Sequence, residues 1–253
     1  MEAPLQAYCE GKHSQVHESL GVRFERRPYR HTAMAARLVS DRPHHGTAWQ
    51  WFQSGEVVAL LPFGSPEGGF SYGLVWSMPE QLAAERMAAD ADSVLALLQA
   101  RVGDEAGQLA WASGRASWPL MRAQVDRWAG PGWVLVGDAF GFLDPIYSSG
   151  VFLALKSGEM AADAVIKGFS RGDLSANSLG TWGPEYLKGM DRMKRLVYAF
   201  YEGFNFGAFI RKHPEMKRHL IDLLIGDLFK DSVDEIVAPL DAMRAEMASM
   251  AAV

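Results

Sequence analysis

The chain of 253 residues is 49% hydrophobic and 22% charged, the balance of a soluble globular protein of one or two domains with a sizeable core. A net charge of −5 with no Lys/Arg run gives no basis for nucleic-acid binding. Cys9 is the only cysteine, which excludes an intramolecular disulfide. With no apolar signal core and no apolar run of transmembrane length, a cytoplasmic setting is expected.

In chain order, Glu10 to Val22 reads as a turn and a short helix, with Ser14 able to cap it and Gly21 able to end it. Short strands are expected over residues 32–39, 47–52, 57–62 and 70–77. The last alternates cleanly, with Phe70, Tyr72, Leu74 and Trp76 on one face and Ser71, Gly73, Val75 and Ser77 on the other. Four short strands with turn punctuation predict an antiparallel sheet covered on one face. The His44-His45 pair between the first two strands lacks further ligands, so no metal is expected there. Residues 79–102 read as a helix, 108–119 and 133–136 as strands, and 151–167 as a helix. From Pro184 onward the chain reads as helical throughout. Pro214 suits a first turn, and Ser232 with Glu235 has the spacing of a capping box for the last helix. The Met, Phe and Leu stripes of this tail fit core packing. No basic face accompanies them, so membrane contact is not expected.

Val134 to Gly150 holds the most unusual local choices. A short apolar strand runs into Gly137-Asp138, a proline follows at Pro145, and Ser148-Ser149-Gly150 opens a helix. Gly137 allows a close turn, and Asp138 places a carboxylate at the strand's carboxyl end, where open α/β sheets bind ligands. The helix start offers backbone N–H groups without intrahelical partners, together with the positive end of the helix dipole. Such a unit can receive a nucleotide, a flavin or a small anion. From the pattern alone, a ligand-free βα turn is equally open.

Gly137-Asp138-Ala139, Pro145 and Ser149-Gly150 with the small-residue helix after them resemble the second FAD motif of flavoproteins of the para-hydroxybenzoate-hydroxylase fold. The segment Gly141 to Val151 resembles flavin-dependent halogenases, and geranylgeranyl reductases share a looser version. The Phe200-Tyr201 and Phe204 to Gly207 region is also similar to the helical tail of halogenase-like members. Residues 32–37, 45–49, 59–62 and 74–77 resemble ubiquinone-biosynthesis hydroxylases, and Glu10 to His17 resembles the superfamily's Asp-Gly motif. The resemblance implies an α+β chain, an α/β family member truncated at its N-terminus. It would comprise a remnant of the FAD-binding Rossmann-like domain (1–27), an antiparallel-sheet substrate domain (28–120), an FAD-binding strand–Gly-Asp–helix segment (121–175) and a C-terminal helical region (176–253).

The same resemblance implies FAD as cofactor. Asp138, after Gly137, would contact the ribityl hydroxyls. Pro145 and the backbone of Ser148, Ser149, Gly150 and Val151 would line the ring, and Gly11 would lie near the phosphates. Two positions depart from the family: Glu10 stands for the usual aspartate and His17 for the usual arginine. No Gly-x-Gly-x-x-Gly occurs. Only ten residues precede Gly11, against about 30 for a βαβ unit. The ADP-binding half of an FAD domain is therefore expected to lie outside this chain, which leaves open whether the chain retains FAD alone. No catalytic residue can be assigned. Three readings follow: an FAD-dependent oxidoreductase, a monooxygenase (hydroxylase) of an aromatic or isoprenoid substrate present as a fragment or split subunit; a halogenase-like enzyme; or a non-catalytic remnant that dimerises or binds a hydrophobic ligand. Phe70, Tyr72, Trp76 and Trp49 are candidates for a substrate wall, with core packing the default for most of them. The expected partners are a small hydrophobic or aromatic substrate and a second copy or subunit.

Overall fold

A computed structural model describes residues 3–11, 15–53, 55–64, 70–143 and 145–251. The strands and helices are β1 (Gln6–Tyr8), α1 (Val16–Ser19), β2 (Phe24–Ser40), β3 (Trp49–Gln53), β4 (Glu56–Phe63), β5 (Phe70–Pro79), α2 (Glu80–Ala88), α3 (Ala91–Val102), β6 (Leu109–Trp111), β7 (Ala116–Val125), β8 (Ala129–Gly130), β9 (Trp133–Leu135), β10 (Gly141–Phe142), α4 (Gly150–Arg171), α5 (Ala176–Leu179), α6 (Gly183–Tyr201), α7 (Phe206–Lys212), α8 (Lys217–Leu224) and α9 (Val237–Ala251). They form two compact units, residues 28–121 and residues 1–27 with 122–253, and β2 and β7 carry the chain from one to the other.

In the unit of residues 28–121, β2, β5, β4 and β3 pair antiparallel in that order, and β6 pairs with the far end of β2. Register aligns the apolar rows: Met34 and Val58 lie opposite Trp76, Leu38 opposite Tyr72, and Leu60 opposite Leu74. All seven are buried in one cluster with Val94, Leu98 and Val102, which stand at i, i+4, i+8 on α3. Burial of each large side chain contributes ~1.5–3 kcal/mol, which makes this face the core of the unit. The expected covered face is thus present, and Tyr72 and Trp76 are core side chains rather than a ligand wall.

A buried ion cluster lies at the edge of this core. Glu56 accepts from Trp76 Nε1 at 2.9 Å and pairs with Arg86 and Arg101, while the Arg86 guanidinium stacks 4.1 Å from the Trp76 ring centre. The helix expected over 79–102 is two helices. Asp90 accepts from Ser93 N at 2.8 Å and caps the second, because its side chain competes with the backbone for that N–H. The strand expected over 108–119 is likewise divided into β6 and β7.

In the other unit, β1 runs parallel to β9, and β8 pairs antiparallel with β9. Small residues Ser157, Ala161, Ala164 and Gly168 form the inner face of α4, so its backbone can lie close to its neighbours. The buried face of α6 carries Tyr186, Met190, Met193 and Leu196. Gly21, at φ +63°, ends α1 as expected, whereas the Ser14 cap falls outside the described residues. The Ser232–Glu235 capping box does not form. Residues Asp231–Ile236 make 3-10 turns without a side-chain cap, and Asp231 and Asp234 instead pair with Lys188 and Arg192 of α6. Among the described residues no helix is long and apolar enough to cross a membrane.

Candidate functional site

Strand β9 ends in a 3-10 turn, Gly137–Ala139. Gly137 sits at φ +60°, a conformation other residues adopt at a cost, while a Cβ there would meet only Ala154 at an ordinary 3.6 Å. The glycine is needed for backbone shape rather than for space. Two buried side chains clamp the turn. Ser157 of α4, 0% exposed, accepts from Gly137 N at 2.7 Å and donates to Ala154 O at 2.7 Å. His17 of α1, 4% exposed, donates from Nε2 to Ala139 O at 2.8 Å, and its ring stacks on Phe24 with centres 4.5 Å apart. A carbonyl can only accept, so this contact places a proton on Nε2. Phe140, directly after the turn, is buried against Trp128, Trp182 and Tyr186.

Asp138 is an exposed residue in the middle of the turn, and the clamps hold the backbone on either side of it. The charge is felt inside. Burial pushes the Tyr186 phenol far above its ordinary range, and Asp138 adds to that shift, while Ser157 opposes it. Tyr186 remains neutral and donates to Leu153 O at 3.0 Å, which ties α6 to the first turn of α4.

The second half of the site is the start of α4. Pro145–Tyr147 is a 3-10 turn, and Ser148 follows at φ +54°, a strained value for a residue with a Cβ. Ser149 is the N-cap residue, yet its side chain makes no capping bond. It is 5% exposed, and its Oγ is buried with no partner among the described residues. A buried hydroxyl without a partner costs ~1–3 kcal/mol, so this one calls for an acceptor or donor beyond the described residues. Open space lies over Gly150, and the Val151 side chain is exposed. A 22-residue helix thus presents its free N–H groups and positive dipole end at an accessible surface.

The structure brings the predicted residues together in part. Gly137, Asp138, Ser148, Ser149, Gly150 and Val151 lie on one strand–turn–helix, with Gly137 packed on Ala154 of the helix itself. Gly11 is exposed, with nothing within 4 Å of its Cβ position, and its segment reaches the turn through α1 and His17. Pro145 opens the 3-10 turn.

A solved structure of the flavin-dependent brominase Bmp2 superimposes with a TM-score of 0.77 at 19% identity, covering 98% of this chain and 64% of the brominase. The chain has the fold of the para-hydroxybenzoate-hydroxylase-like flavoproteins. Within that fold, the ubiquinone hydroxylase UbiL of Rhodospirillum rubrum is 28% identical over 166 residues, 66% of this chain and 38% of the relative. A 1H-pyrrole-2-carbonyl-(peptidyl-carrier protein) chlorinase of Pseudomonas fluorescens is 31% identical over 122 residues, 48% of this chain and 26% of the relative. The chain therefore spans about two fifths or less of these two relatives. No family model matches it.

The residues present fit a group with an acceptor edge and a flat face. Ser149 Oγ lacks a partner, the helix start presents donors, and Gly150 leaves its approach open. Sequence reasoning missed the clamps. Ser157 carried a faint signal as a polar residue on an otherwise small, apolar helix face. His17 stood out only as a replacement for the family's arginine and Tyr186 not at all, since their partners lie 122 and 33 positions away.

Proposed function

We propose that this chain is the flavin-ring-binding and substrate-domain part of an FAD-dependent monooxygenase, a hydroxylase of an aromatic or isoprenoid substrate. The observation that carries the reading is the unpartnered Ser149 Oγ at the accessible start of α4, beside the strained Ser148. A flavin ring laid there would offer acceptor atoms to that hydroxyl and to the N–H groups of Ser149, Gly150 and Val151. Pro145 would border the ring. Asp138, on the turn that Ser157 and His17 clamp, would accept from ribityl hydroxyls. Bound flavin would supply the redox chemistry, oxygen transfer to the substrate, while the protein orients it and excludes water. Gly11 would lie toward the phosphates. A halogenase-like activity is the second reading, favoured by Gly141 to Val151 and by the extent of the brominase match.

Titration of the purified chain with riboflavin, which has ring and ribityl chain but no phosphates, tests the reading. Saturable quenching of flavin fluorescence is expected. Asp138→Ala should weaken binding tenfold or more, from loss of hydrogen bonds to a charged group worth ~1.5–3 kcal/mol. Absence of binding by wild type, or equal affinity in the variant, rejects the site. Product mass in the presence of bromide, with a flavin reductant, separates hydroxylation from halogenation.

A further inference from the structure

Away from the flavin-side turn, the end of β7 and the outward side of α6 border two adjoining grooves of about 380 and 730 Å³. Both volumes fall in the range of small-molecule sites, ~300–1,000 Å³. Arg122, Gln124 and Leu187 line both grooves, so the two meet at these residues. Neither is lined by Gly137, Asp138, Ser149 or Gly150.

The cations at this surface are not equivalent. Arg23 pairs with Asp126 at 3.0 Å, Lys188 with Asp231 at 2.7 Å, and Lys194 with Asp191. Arg122 has no ion pair within 4 Å among the described residues; its charge acts on Glu25 of the second groove, whose own partner is Arg27 at 2.6 Å. The Arg122 Nε is buried without a hydrogen-bond partner, and its guanidinium stands 6.0 Å from the Tyr198 ring. A guanidinium has five N–H donors in a rigid fork that matches a carboxylate, and a buried donor left unpaired is costly. Gln124, two residues along the same strand, adds an amide beside it. Around this polar pair the first groove is floored by Leu143, Leu187 and Met190, and the second by Phe24 and Trp128.

We propose that this groove is a binding site for an amphiphilic monoanion, a carboxylate on an elongated apolar body, with Arg122 as the anion partner and the Leu187 floor taking the body. The site is independent of the flavin reading, because it shares no proposed cofactor residue.

Decanoate is the probe, with decan-1-ol as its uncharged counterpart, in calorimetric titration of the purified chain. Wild type is expected to bind decanoate saturably and to bind decan-1-ol at least tenfold more weakly. Arg122→Gln should lower decanoate affinity at least tenfold with an unchanged circular-dichroism spectrum, and Arg122→Lys should fall between, since it keeps charge but loses the fork. No saturable binding, equal binding of the alcohol, or unchanged affinity in Arg122→Gln overturns the proposal. If Arg122→Gln does not fold, Leu187→Glu serves instead: a carboxylate placed on the floor should abolish decanoate binding, and retained binding overturns the site.

Discussion

Replacing Ser157 by alanine tests whether the Asp138 turn is held by the helix behind it. The hydroxyl is fully buried and is the partner of Gly137 N at 2.7 Å. Its loss leaves that N–H buried and unpaired, a cost of ~1–3 kcal/mol. The Ala154 carbonyl loses little, because it also serves the helix. Alanine favours a helix interior over serine by a few tenths of a kcal/mol, up to ~0.7. The net expectation is ~1–2 kcal/mol of destabilisation in the unit of residues 1–27 and 122–253. For a chain of this size that corresponds to a melting point lower by ~2–8 °C. Ser170→Ala is the matched control on the same helix: its Oγ donates only to Lys167 O at 2.9 Å and is exposed, so a change within ~0.5 kcal/mol is expected. Urea unfolding of both variants, read as a midpoint shift at constant slope, gives the difference. Equal effects of the two substitutions would refute the clamp, because the buried and the exposed serine would then be contributing the same.

In the unit of residues 28–121, Glu56→Gln keeps an acceptor for Trp76 but leaves the buried Arg86 without its counter-charge. Breaking a buried pair in this way costs ~3–5 kcal/mol, and chemical unfolding should show a loss of that order; a change below ~1 kcal/mol would mean that the pair is not desolvated. In the unit of residues 1–27 and 122–253, the hydrogen bond from Arg192 holds the Asp234 carboxyl below its usual range. A carboxyl depressed in the folded state adds stability above its unfolded pKa of ~3.9, and that stability is lost as pH falls through the folded value. Unfolding midpoints measured from pH 6 down to 2 should therefore fall below about pH 4, and the fall should be shallower in Asp234→Asn. An identical acid profile in the variant would remove Asp234 from the linkage.

What could be read from residue order is what short-range geometry decides. The alternation from Phe70 to Ser77 has the period of a strand, and one face of β5 is buried accordingly. Gly137 and Ser149-Gly150 lie where a left-handed turn and a helix start occur, since both are set by one or two residues' backbone freedom. Asp90 caps a second helix by the same kind of local bond, inside the segment read as one helix. The capping box at Ser232–Glu235 shows where local rules lose. That spacing is worth about 1 kcal/mol, whereas Asp231 and Asp234 beside it pair with Lys188 and Arg192 from a helix some forty residues earlier.

The sequence alone therefore determined the lineage, the covered sheet face and the strand–turn–helix that carries Asp138. Only the tertiary structure decided which groups stand behind that turn and which polar atoms are left without partners. Ser157, His17 and Tyr186 converge on it from three helices, and Ser149 and Arg122 keep buried donors unmatched. The reason is physical: a hydrogen bond depends on which atoms packing brings within about 3 Å, and a deficit in pairing exists only once everything else has folded around it.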